Sequence, residues 1–304
     1  MSLRDDDVPP RPRGRVPGKP GRKLGPIADG VGSAHRAWLV PLREKFLSSG
    51  MTIGDLHART GWAKSKISEL LRGTGLYPRW EITQSLVQEL CVPTWPMRRL
   101  WASAAVEAQK KQEWIDRCVE RPAAVSTSPD VPPIDLRAFK ELQGAFYASY
   151  ADVFLCDSRV VERVVSDTFD VLELRWDDAL SSSDVVRFAW SVLRSGVMAR
   201  APHVDGRPDL GAAVFETVAL GRAVSSEEKF AQYEETSALF KVLSRLPDQQ
   251  LDVMVLRHLR GMPPSTVADV LGVPIASVRS DERHARHVVD TVLGAESDPE
   301  GKAL

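Results

Sequence analysis

The stretch LSRLPDQQLDVMVLRHLRGMPPSTVADVLGVPIASVRSDERHARHVVDTVLG, which runs from Leu243 to Gly294, decides the fold. Leu246-Pro247 precedes an apolar helix that reaches Leu259, and Gly261 follows it. The spacing then predicts a short helix over Ser265 to Leu271 and a turn at Gly272. A further helix starts after Pro274, because proline there loses no amide partner. Two helices joined by a glycine turn are typical of a helix-turn-helix.

A second helix-turn-helix pattern lies near the N-terminus, in FLSSGMTIGDLHARTGWAKSKISELLRGTGLYPRWEITQSLVQEL. Thr52 can cap the helix TIGDLHART, and Gly61 ends it with a residue that tolerates positive φ. The next helix, in KSKISELLRG, carries Ile67, Leu70 and Leu71 on one apolar face. Because such a unit places its second helix in the major groove of a DNA duplex, two units in one chain indicate a DNA-binding protein.

The N-terminal segment resembles the Xre, or lambda-repressor-like, helix-turn-helix family of actinobacteria over roughly residues 36–105. The core and turn positions that match are Leu56, Gly61, Ile67, Leu70 and Gly73. His57 departs from the pattern, because the family places a small residue where the two helices cross. The resemblance implies that the DNA-facing residues are Ala63, Lys64, Ser65, Lys66 and Ser68. The alternative is that this face is the solvated side of an interaction helix.

The C-terminal segment resembles the fourth region of sigma-70 family proteins, the module that reads the promoter −35 element. Carried over by position, the DNA-binding residues would be Ala276, Ser277, Arg279, Ser280, Arg283, His284 and Arg286. Asp281 stands where the family usually has arginine, and Glu282 stands where it has an apolar residue. Since an acid in the groove repels phosphate, the alternative is a retained fold that contacts other proteins.

Between these two segments, CDSRVVERVVSDTFDVLELRW, from Cys156 to Trp176, resembles the second region of extracytoplasmic-function sigma factors. The resemblance implies an acidic-polar helix that grips the clamp helices of RNA polymerase through Glu162, Ser166, Asp167 and Asp170. It also implies a promoter-opening surface, which the acidic, serine-rich loop from Trp176 to Asp184 weakens. The alternative is an ordinary amphipathic helical bundle.

Charge is distributed unevenly along the 304 residues, although the whole chain has a net charge of −1. Residues 1–91 hold 15 basic and 9 acidic residues, a net of +6, whereas residues 201–304 hold 11 and 16, a net of −5. A part that meets phosphate is therefore expected at the N-terminal end. The scattered Cys91, Cys118 and Cys156 indicate neither a disulfide framework nor a metal site. No apolar run approaches the ~20 residues that span a bilayer, and a cytoplasmic protein without membrane contact is expected.

We predict an all-α fold with a five-helix N-terminal helix-turn-helix domain, a middle helical bundle and a C-terminal helix-turn-helix domain. Pro- and Gly-rich stretches separate these parts. The predicted segments are a disordered basic arm (1–33), an Xre-type domain (34–118), a linker (119–135), a region 2-like domain (136–200), a linker (201–224), a region 4-like domain (225–294) and a tail (295–304).

The combined patterns favour a transcription regulator that contacts double-stranded DNA and core RNA polymerase, with an atypical initiating sigma factor among the possibilities. A non-initiating sigma mimic or a protein-interaction adaptor is the alternative. An enzyme is not indicated, because the chain has no glycine-rich phosphate loop, metal-ligand spacing or nucleophile elbow. No cofactor or metal is expected. The sequence does not determine the oligomeric state, the target DNA or an effector.

Overall fold

The computed structural model describes residues 24–120, 131–211, 213 and 226–296, and within them it confirms the all-α prediction. The N-terminal block contains α1 (Ser33–Ser48), α2 (Ile53–Thr60), α3 (Lys64–Arg72), α4 (Trp80–Glu89), α5 (Thr94–Glu107) and α6 (Gln112–Glu120). The middle block contains α7 (Ile134–Leu155), α8 (Ser158–Leu174), α9 (Trp176–Ser181) and α10 (Val185–Met198). The C-terminal block contains α11 (Ser226–Leu243), α12 (Asp248–Met254), a π-helical segment (Val255–Leu259), α13 (Pro264–Leu271) and α14 (Ile275–Glu296).

Two short strands interrupt the helices after the middle block. β1 (His203–Val204) pairs with β2 (Arg207–Pro208) in an antiparallel hairpin. The hairpin falls in the segment 201–224, which the sequence predicts as a linker between the helical blocks.

The N-terminal block has six helices rather than the predicted five. The extra helix arises because α5 ends at Glu107 and α6 begins at Gln112. Gln109 between them has a φ of 58°, which a helix interior does not allow. The break lets α6 fold back, so that Ile115 and Cys118 become buried in the core of this block.

Apolar side chains from all six helices form the core of the N-terminal block. Trp38, Trp80 and Trp101 are among its largest fully buried side chains. Tyr77 lies between them, accepting a hydrogen bond from Trp38 Nε1 at 3.2 Å and donating one to the carbonyl of Trp101 at 2.6 Å. The tryptophans therefore serve packing, and the indole nitrogens of Trp38 and Trp101 donate to Tyr77 and to the carbonyl of Pro78 within the fold.

The middle and C-terminal blocks share one continuous hydrophobic cluster, which extends from Leu136 to Val289. Helix α10 packs on α13, and α7 packs on the π-helical segment. Gly272, in the turn of the C-terminal helix-turn-helix, has a φ of +64° and lies so close to α10 that an added Cβ would stand 2.5 Å from the backbone nitrogen of Arg187. Only glycine satisfies both requirements.

The N-terminal block contacts the middle block mainly through α5 and α1, which pack against α8. Helix α8 is therefore covered on several sides, since α7 and α10 also pack on it. Val171 and Leu174 of α8 pack against the core of the N-terminal block. This contact decides which residues of α8 remain available to another molecule.

Parts of five predicted segments lie outside the described residues: 1–23 of the arm, 121–130 of the first linker, 212 and 214–224 of the second, 225 of the region 4-like domain, and 297–304 of the tail. The predicted domain boundaries stay predictions. No helix in the described part of the chain has the length and apolarity that crossing a membrane requires.

Candidate nucleic-acid interface

Helix α3 is anchored by one face and leaves the opposite face open to solvent. Ile67 and Leu71 are fully buried, and Leu70 is nearly so. The N-cap Ala63 and the first-turn residues Lys64, Ser65 and Lys66 are exposed, while Ser68 is half-buried. The predicted DNA-facing residues therefore share one accessible surface at the start of this helix.

The two lysines of this surface differ in their contacts. Lys66 Nζ lies 2.8 Å from Glu69 Oε2 in a pair along the helix. Lys64 makes no ion pair with any described residue. Because an unpaired exposed lysine gives up no protein contact when it meets a phosphate, Lys64 is the better placed of the two for that role.

Helix α2 and its turn hold α3 in place. Thr52 and Asp55 form a reciprocal capping box at the start of α2, and Gly61 ends the helix with a φ of 74°. His57 points outward, and its Nδ1 donates to the carbonyl of Trp62 at 2.8 Å. The imidazole ring of His57, the residue that departs from the family pattern, therefore lies exposed beside the turn.

The sequence reading missed Trp62 at this surface. Its indole is 36% exposed, and its Nε1 donates to Ser85 Oγ at 3.1 Å. Arg59, also exposed, pairs with Glu89 at 3.5 Å. Both side chains tie the α2–α3 unit to α4, and both lie close to the start of α3 in sequence.

Helix α14 repeats this arrangement at the C-terminal helix-turn-helix. Val278, Ala285 and Val289 point into the core. The exposed predicted residues are Ala276, Arg279, Arg283, His284 and Arg286, and the half-buried ones are Ser277 and Ser280. The Gly272 carbonyl accepts a hydrogen bond from Arg187 Nε at 3.3 Å. Helix α10 therefore contacts the turn that orients α14.

Glu282 is not an acid in the groove but the centre of a buried charge cluster. It lies 3.2 Å from Arg257, 3.0 Å from His258 and 3.0 Å from Arg286. Burial works against ionisation of Glu282, but the hydrogen bond and charge of Arg257, with the charges of His258 and Arg286, hold its pKa below the usual value. Arg257 and His258 belong to the π-helical segment, which therefore fixes the base of α14.

Asp281 is partly withdrawn from the exposed face. Its Oδ2 accepts a hydrogen bond from Gln249 Nε2 at 2.6 Å, and the side chain is half-buried. The repulsion expected at both acidic positions of α14 is therefore reduced. Arg286, by contrast, is partly engaged by Glu282 although it is 58% exposed.

The predicted polymerase-binding residues are split by the structure. Glu162 and Ser166 are exposed on α8, but Asp167 and Asp170 are buried, which corrects the expectation of four residues on one open face. Asp170 receives both the Nε and the Nη2 of Arg99 from α5. The N-terminal block therefore covers this half of the helix.

Asp167 lies in the same contact. Its Oδ2 accepts from Arg200 Nη2 at 2.9 Å and from Ser103 Oγ at 3.0 Å. Burial raises the pKa of Asp167 to about 6, and the charge of Arg200 offsets this only in part. Burial also raises the pKa of Asp170 against the opposing effect of Arg99.

Arg194 of α10 faces inward. Its Nε lies 3.0 Å from Asp252 Oδ2, and its Nη1 lies 2.9 Å from Asp248. Sequence reading missed Asp252 as the partner. The available signal was a charged residue inside the apolar run from Leu251 to Leu256.

The described residues contain no group of three or more His, Cys, Asp or Glu side chains that could hold a metal ion. Cys91 and Cys156 are exposed, Cys118 is buried, and none of the three forms a disulfide.

No curated protein and no solved structure matches the chain significantly. The Xre and region 2 resemblances stay predictions. A family model does match the C-terminal block: residues 242–289 match Sigma-70, region 4, which covers α12, the π-helical segment, α13 and most of α14. The chain thus carries a region similar to the DNA-binding, polymerase-associated part of sigma factors.

Proposed function

We propose that this protein is a transcription regulator that binds duplex DNA through the exposed start of α3 and contacts RNA polymerase through its sigma-like half. The observation that carries the proposal is the exposed face of each helix-turn-helix, with α14 inside the segment similar to Sigma-70, region 4. The net charge of +6 in residues 1–91 favours α3 as the leading DNA contact.

The α3 contact is tested by selecting bound sequences from a random duplex pool and measuring affinity by fluorescence anisotropy. K64E/K66E reverses both lysines and should weaken specific binding at least tenfold. K110E/K111E makes the same charge change between α5 and α6, outside the α2–α3 unit, and should bind nearly as the wild type does. Unchanged binding by K64E/K66E would refute the assignment of α3.

A second candidate is a regulator that binds polymerase without opening DNA. The observation that favours it is the burial of Arg194 against Asp252, which removes a cation from any contact with single-stranded DNA. Run-off transcription with core polymerase discriminates the two. Transcripts that depend on the protein would establish an atypical sigma factor, whereas DNA and polymerase binding without transcripts would establish the non-initiating regulator.

A further inference from the structure

Several ion pairs cross the contact between the N-terminal block and the middle block, beside the apolar packing of Val171 and Leu174. Arg99 of α5 binds Asp170 and lies 3.7 Å from Glu173. Arg200, just after α10, bridges Glu107 of α5 at 2.9 Å and Asp167 of α8 at 2.9 Å. Because desolvating such charges cancels much of their attraction, these ion pairs add little net free energy to the contact.

Two clefts lie between α1 and α8, beside this contact. One, of about 920 Å³, lies between the region around Glu44 and Cys91 and the segment from Glu173 to Asp178. The other, of about 350 Å³, lies between α1, at Arg36 and Val40, and helices α8 and α10. Polar, incompletely packed contacts between domains are the ones that open most readily.

The residues of α8 that α5 covers lie on the same stripe of the helix as exposed residues closer to its N-terminus. Glu162, Ser166, Asp170 and Glu173 follow one another at intervals of four, four and three residues, which places them on one stripe of α8. Glu162 and Ser166 are exposed, while Asp170 and Glu173 lie under Arg99. The stripe is thus an acidic surface of which α5 occupies only the C-terminal half.

We propose that α5 is a displaceable cover on this acidic stripe, and that a basic partner surface competes with Arg99 for Asp170 and Glu173. The proposal rests on the proposed function for the partner's identity, which is then core RNA polymerase. The N-terminal block and polymerase exclude each other on α8, so the free protein is closed and polymerase binding releases the DNA-binding block. By the same linkage, any ligand that stabilises the N-terminal block in its dissociated state strengthens polymerase binding.

The test compares two variants that break the same ion pair. Arg99→Ala removes the cover and leaves the acid, whereas Asp170→Asn loosens the cover and removes the acid. Arg98→Ala changes the neighbouring arginine, which stacks on Trp95 rather than on α8, and serves as the control. Affinity for core polymerase of the organism that encodes the chain is measured with full-length proteins, and amide hydrogen exchange reports the opening of α8 independently.

We expect faster exchange in α8 for R99A and D170N, and polymerase binding at least threefold tighter for R99A alone. Unchanged exchange in R99A would overturn the displaceable cover. Faster exchange with unchanged or weaker R99A binding would overturn the competition while the proposed function stands. Exchange in α8 could also increase while neither the wild type nor any variant binds polymerase. That result would refute the polymerase part of the proposed function, and with it the partner named here.

Discussion

The hydroxyl of Tyr150 donates a 2.6 Å hydrogen bond to Oδ1 of Asp252, which joins α7 to α12 across 102 positions of the chain. Trp190 Nε1 donates to the other oxygen of the same carboxylate at 3.0 Å, and Arg194 approaches both oxygens. A single buried carboxylate thus collects donors from two helices of the middle block. This relationship explains why the middle and C-terminal blocks share a core.

Replacing Asp252 with alanine should therefore destabilise the protein strongly. The change leaves Arg194 and two aromatic donors without their shared acceptor, and breaking a buried pair in this way costs about 3–5 kcal/mol. Urea unfolding measures the loss. Asp248→Ala is the control: its carboxyl also pairs with Arg194 but is 78% exposed, so the cost should stay below about 1 kcal/mol. Equal losses for the two variants would contradict this assignment.

The turn of the C-terminal helix-turn-helix offers a second test, in Gly272→Ala. A left-handed backbone costs a non-glycine residue about 1–2 kcal/mol, and here the new Cβ would also strike the backbone of Arg187. Gly261 has a similar φ of +66° with nothing within 4 Å of an added Cβ. Thermal unfolding should therefore show G272A to be clearly less stable than G261A. Indistinguishable midpoints would argue against the packing of α10 on this turn.

The buried carboxyl of Asp167 predicts a pH dependence. Its pKa is raised from 3.8 to about 6, mainly by burial and further by the charges of Asp170 and Glu107, while Arg200 and Ser103 oppose the shift. Because the folded state holds this proton more tightly, its contribution to stability is full below about pH 4, falls as the pH rises and is lost above about pH 6.

The stability of the wild type relative to Asp167→Asn should thus fall by up to about 3 kcal/mol between pH 4 and pH 7. Urea titrations of both proteins across this range give the difference directly. A difference that rises with pH would mean that Asp167 is held ionised by Arg200 and that the direction assigned here is wrong.

The exposed arginines of α14 should differ in their contribution to DNA binding. Arg283 makes no ion pair with any described residue, whereas Arg286 is partly held by Glu282. If α14 meets phosphate, Arg283→Ala should lower the slope of log affinity against log salt by about 0.9, and Arg286→Ala should lower it less. Anisotropy titrations at several salt concentrations measure both slopes. A slope unchanged by R283A would remove this residue from the DNA interface.

Local patterns predicted the individual elements well, because caps, glycine turns and apolar spacing act within a few residues. The cap of α2 at Thr52, its end at Gly61 and the start of α14 after Pro274 are predicted from such signals. The extra helix α6 was missed because no glycine or proline marks the break at Gln109.

The burial and the ion pairing of the charged residues could not be predicted from the sequence in the same way. Whether Asp170 is exposed depends on Arg99, which is 71 positions away and belongs to another block. The sequence predicts an acid in the DNA groove at Glu282. In the structure, the π-helical segment places Arg257 and His258 in contact with its carboxylate. The sequence therefore predicts which segments are helical, but not which charged residues pair with partners far away in the chain.

The most direct measurement is a native-gel assay of the purified full-length protein with core RNA polymerase and a duplex selected for binding to it. A complex that contains protein, polymerase and DNA together, and that K64E/K66E abolishes, is the expected result. Polymerase that never joins the protein–DNA complex, or a wild-type protein that ignores duplex DNA at low salt, would contradict the proposed function.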